Sequence, residues 1–115
     1  MKYLLMIYGN EGAEAAAPPS AMEQTMSAYM AYSQALVQAG VMVGGERLKA
    51  SSAATRVRLA AGKTEVLDGP YADSKEQLGG YYMIEVPDLD QALGWAARCP
   101  GAQHGVIEVR PVWPM

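Results

Sequence analysis

Residues 68–82 constrain this chain more than any other stretch: Asp68-Gly69-Pro70-Tyr71-Ala72-Asp73-Ser74-Lys75-Glu76-Gln77-Leu78-Gly79-Gly80-Tyr81-Tyr82. Turn formers, charges, paired glycines and tyrosines stand together between two strand-like runs. An Asp side chain bonds backbone N–H groups two residues on, while Gly and Pro set the dihedrals of a turn. Two readings of Asp68-Gly69-Pro70 stand side by side. It is a structural turn, or a turn that aims Tyr71 and Lys75 into a cleft.

The flanking patterns place this segment in a fold. In residues 2–9, Tyr3, Leu5 and Ile7 point one way and Leu4, Met6 and Tyr8 the other. Both faces are apolar, so the strand is covered on both sides: by helices on one, by a second subunit on the other. The Ala-, Glu- and Pro-rich residues 10–19 read as a loop. Ser20 and Glu23 have capping-box spacing. Met22, Met26, Tyr29, Met30, Ser33, Leu36 and Val37 then recur at helical intervals until Gly40. The methionines read as core filling rather than a soft-metal site.

Residues 41–48 return to strand character, and Gly44-Gly45 signals a bulge or close backbone approach. Residues 55–60 and 65–67 form a hairpin, with Arg56 and Arg58 outward and paired with Glu65 or water. Residues 81–86 are a strand ended by Pro87. Asp88 and Gln91 then start a helix buried through Ala92, Leu93, Ala96 and Ala97. Residues 105–110 are the last strand. Without the hairpin, the order is βαββαβ. The prediction is an α+β, ferredoxin-like single domain over 1–115 with an inserted β-hairpin.

Composition narrows the partners. The 115 residues suffice for one core, and 50% apolar with 18% charged is a folding composition. The net charge is −3 and no basic cluster tracks a phosphate backbone, which argues against direct nucleic-acid binding. One cysteine, Cys99, permits no internal disulfide and fits a reducing cytoplasm. No apolar run reaches the length of a signal peptide or membrane span, so the chain is read as cytoplasmic and complete.

Asp68-Gly69-Pro70-Tyr71 followed by Lys75-Glu76-Gln77-Leu78-Gly79-Gly80 resembles the signature of the DGPF-type group of YCII-related proteins. Residues 1–9, 43–46, 88–100 and 106–112 resemble that group's other blocks, in order. The resemblance implies a dimeric α+β barrel, hence a homodimer, in a family without a settled activity. Some relatives are linked to extracytoplasmic-function sigma factors, which implies a regulatory context. Tyr71 stands where the group has Phe, and the chain has no Phe. Some YCII-related members are thought to use a His–Asp pair. The single histidine here, His104, precedes the last strand at no matching position, so that pair is not carried over.

The chemistry candidates follow. Lys75 between the carboxylates of Glu46 and Glu76 suits orienting a small polar ligand or tuning an acid for proton transfer. The competing reading is solvated charge pairs, with Glu46 on Arg47 or Lys49. The expected ligand-binding set is Tyr8, Glu46, Asp68, Tyr71, Lys75 and Arg110, and the expected cleft, between sheet and helices, is lined by Glu46, Tyr71, Lys75 and Glu76. Arg110 either pairs with an acid such as Glu108 across strands or holds a ligand carboxylate. Tyr8, Tyr81 and Tyr82 serve core or interface, with hydroxyls open to a pocket. His104 is a general base or an exposed loop residue. Cys99 sits in no environment that would make it a nucleophile. No metal or organic cofactor is expected: one His and one Cys lack ligand spacing, and no phosphate loop is present. Three functions stay open: a small-molecule-binding dimer, a cofactor-independent enzyme using the same cleft, or a protein-interaction module in sigma-factor-linked regulation.

Overall fold

The computed structural model describes residues 1–68 and 75–114. Strand β1 (Lys2–Gly9) leads into helices α1 (Glu11–Ala16) and α2 (Pro19–Gln38) and then β2 (Met42–Arg47). A hairpin, β3 (Thr55–Ala60) and β4 (Lys63–Asp68), precedes β5 (Gln77–Glu85), helix α3 (Leu89–Arg98) and β6 (Val106–Pro111). The main sheet is antiparallel in the order β2-β5-β1-β6, the ferredoxin-like arrangement. Among the described residues, strands β3 and β4 pair only with each other. Ala61 and Gly62 both take positive φ between them, which is the two-residue hairpin turn whose twist matches antiparallel strands.

Local chemistry accounts for the helix ends. Asp88 caps α3 by accepting from the Gln91 N–H at 2.9 Å. Gly40, at φ 72, follows the end of α2. Four expectations change. The buried stripe of α3 is Ala92 and Ala96, while Leu93 and Ala97 are exposed. Residues 10–19 are not all loop: Asn10 accepts from the Ala13 N–H at 2.9 Å and caps α1. The Ser20/Glu23 capping box does not start α2. That helix begins at Pro19 behind Pro18, because a proline ring pre-sets helical φ and its missing N–H is not needed in the first turn. Met22, Met26 and Met30 are exposed rather than core, because only the second half of α2, through Tyr32 and Leu36, lies on the sheet.

The core forms where α2 and α3 cover one sheet face. Tyr3, Leu5, Tyr82 and Ile84 from the strands, with Val86 just after β5, meet Tyr32, Leu36, Ala92, Ala96 and Cys99. Among the described residues, its buried side-chain nitrogen and oxygen atoms all have hydrogen-bond partners. Tyr32 donates to the Trp95 carbonyl at 2.7 Å, and Ser33 and Tyr82 share a 2.7 Å hydroxyl bond. The Tyr32 ring stands edge-on to Tyr82 and to Trp95. Among the described residues, no helix is long and apolar enough to cross a membrane.

Candidate functional site

The facing of the candidate residues follows from strand parity. Register rows across the sheet run Gly44–Met83–Leu4–Arg110 and Glu46–Tyr81–Met6–Glu108, with Leu78–Tyr8–Val106 beyond them. Residues opposite one another share a face. These rows alternate with Tyr3, Leu5, Tyr82 and Ile84, so they occupy the face turned away from the helices. That face holds Leu4, Met6, Tyr8, Tyr81 and Met83, all half-buried, with Leu78 and Val106 more exposed.

A bulge decides where Glu46 lies. The register slips between Met42 and Gly44, so Val43 is the extra residue. Plain alternation from Met42 would send Glu46 toward the helices. One inserted residue inverts everything after it, and Glu46 emerges on the open face. Gly45 permits the close fit: a Cβ there would sit 2.7 Å from the Tyr81 carbonyl oxygen and 3.0 Å from the Tyr82 ring. The expected cleft between sheet and helices is therefore not what Glu46 lines. The space there is the packed core.

The other candidates divide. Tyr8 shares the open face with Glu46. Arg110 shares it too, but on the far edge strand, three strand spacings or about 14 Å across. Arg110 donates to Glu108 at 2.8 Å, a pair within one strand rather than across strands. Lys75 is exposed and Glu76 half-buried, in a bend just before β5 rather than a helical turn. Among the described residues, no hydrogen bond or ion pair joins Glu46 to Lys75, Arg47 or Lys49. The Asp68 side chain and all of Tyr71 lie outside the described residues. His104 is exposed after a 3₁₀ turn of residues 100–103.

Sequence reasoning missed a set of bonds at the end of the sheet where β1 and β2 finish and β5 begins. Glu11 accepts from the Ser51 N–H and the Ser51 hydroxyl, both at 2.7 Å, and its own N–H donates to the Gln77 side chain at 3.0 Å. The Leu48 N–H donates to the Gly79 carbonyl at 2.9 Å. These bonds tie α1, the loop after β2 and the start of β5 into one frame beside Lys75. They span tens of residues, and only the Asn10 cap had a local signal.

Three further groups are settled by burial. Cys99 is fully buried and burial pushes its thiol up, which makes it a poor nucleophile. Burial also pushes the Tyr29 phenol up, reinforced by neighbouring Cys99, and does the same to Tyr32. Among the described residues, no three His, Cys, Asp or Glu side chains gather as metal ligands.

The family model for the YCII-related domain matches residues 1–115. The chain belongs to the YCII-related family. It is 37% identical over 114 residues to an uncharacterised protein of Rhizobium meliloti (strain 1021), covering 97% of this chain and 92% of that one. The α+β fold of this YCII-related domain agrees with the βαββαβ order read from the sequence.

Proposed function

We propose that this YCII-related domain is a homodimer of the DGPF type that binds a small polar molecule. The two copies meet through their open sheet faces, and the ligand lies in a cleft near Glu46, Tyr71 and Lys75. One observation carries this reading: the face without helices is apolar along its centre and carries Glu46 at its edge. An antiparallel sheet with one solvated face normally alternates apolar-in with polar-out. Here Leu4, Met6, Tyr8, Tyr81 and Met83 depart from that rule on neighbouring strands. Two such faces stacked about 10 Å apart would bury both, as in a sheet sandwich. Glu46 then lies at the rim, where a carboxylate stays hydrated and meets a ligand.

The test is thermal unfolding of the dimer with a panel of small polar metabolites. A ligand that binds only the folded state raises Tm by mass action. The reading expects a rise for some member of the panel that is lost in Glu46→Gln. A rise that Glu46→Gln and Lys75→Met leave intact would move the site elsewhere.

A further inference from the structure

We propose a second, anion-binding site on the opposite side of the β2 terminus, in the open concavity of about 310 Å³ lined by Arg47, Leu48, Lys49 and Ala50. Arg47 is the next residue after Glu46 and pairs with Gly80, so it faces the helix side and not the open sheet face. The site is therefore independent of the cleft proposed above.

Arg47 differs from Arg58, Arg98 and Arg110 in what its guanidinium touches. Arg58 has the Glu65 carboxylate at 2.7 Å and Arg110 has that of Glu108 at 2.8 Å. Arg98 lies over the Trp95 ring at 4.3 Å. Arg47 instead directs two of its nitrogens at thioether sulfurs, those of Met26 at 3.6 Å and Met22 at 3.8 Å. A thioether is a weak acceptor, and a guanidinium carries five N–H donors in a planar fork. The methionines hold the fork in place without neutralising it. Lys49, two residues on, has no carboxylate partner among the described residues. In a chain of net charge −3, two such cations at one concavity are not explained by ion pairing.

The frame around them is fixed. The Leu48 N–H is bonded to the Gly79 carbonyl, and Ser51 is held by both carboxylate oxygens of Glu11. The Ala53 N–H closes a turn onto the Ala50 carbonyl at 2.9 Å. The carboxylate that touches this loop thus has its oxygens turned to Ser51. A rigid rim lowers the ordering cost of binding. The ligand class is a small molecule bearing a carboxylate or phosphate group, which a guanidinium fork grips with two parallel hydrogen bonds and an ammonium supports as a point charge.

The experiment is an amide-resolved NMR titration of the full chain at low ionic strength, with inorganic phosphate in one arm and succinate in the other. The expected result is saturable shifts confined to residues near 47–51, with the tighter arm naming the preferred group. Arg47→Met, which keeps an apolar stem against Met22 and Met26, should weaken binding at least about tenfold. Lys49→Met should weaken it less, and Lys63→Met on the β3–β4 hairpin not at all. Non-saturating shifts spread over all surface cations would overturn the proposal. So would an affinity unchanged in both Arg47→Met and Lys49→Met.

Discussion

The two faces of the main sheet are built from the same strands and solve opposite problems. On the helix side, Leu5, Leu36 and Ile84 are fully buried and, among the described residues, no buried side-chain nitrogen or oxygen lacks a hydrogen-bond partner. On the open side, side chains of similar size are only half-buried, and their cover is one another. The difference teaches that strands apolar at successive positions present two apolar faces, while helices are supplied for one. The helix side is a finished core. The open side is left without helices, and the proposed function assigns it to a second copy of the chain.

Substitutions that treat the faces alike test this contrast. The largest effect is expected at Leu36→Ala and Ile84→Ala, each costing about 2–5 kcal/mol through lost burial and a residual cavity. Met6→Ala on the open face should cost much less when measured on a dissociated chain. Chemical denaturation of the three variants checks the order, and equal losses would erase the distinction. Gly45→Ala comes next, at about 1–3 kcal/mol, because its Cβ meets backbone at 2.7 Å where the bulge brings β2 onto β5.

Alkaline pH sharpens the same comparison. Burial raises the Tyr29, Tyr32 and Tyr82 phenols and the Cys99 thiol, all on the helix side. The unfolded chain therefore loses its protons first. Stability is full below the ordinary thiol and phenol values of 9.0 and 10.0, and falls as pH rises above them. Thermal unfolding from neutral to strongly alkaline pH should show this fall, and a flat Tm there would contradict a sealed helix side. The smallest effect belongs to the exposed Arg58–Glu65 pair, where Glu65→Gln should change stability by less than about 1 kcal/mol.

What the sequence disclosed was local. The Asp88 cap, the Gly40 stop, the hairpin and the strand order rest on neighbours a few residues apart. Gly44-Gly45 announced a bulge, yet not which residue it would insert. Because one residue inverts a strand's facing, Glu46 was expected on the wrong side. The Glu11–Ser51–Gln77 bonds left no trace in spacing, since long-range contacts between common polar residues carry no period. The methionine stripe of α2 had helical spacing, but spacing identifies a face without saying what covers it.

The most direct measurement is the solution mass of the chain at micromolar concentration, by light scattering across a size-exclusion peak, beside Met6→Asp and Tyr81→Asp. The account predicts twice the 12.3 kDa chain mass for the natural sequence, and a single chain mass with unchanged helical signal for both variants. A natural chain that runs at 12.3 kDa, or variants that stay paired, would contradict the assignment of the open face as the interface.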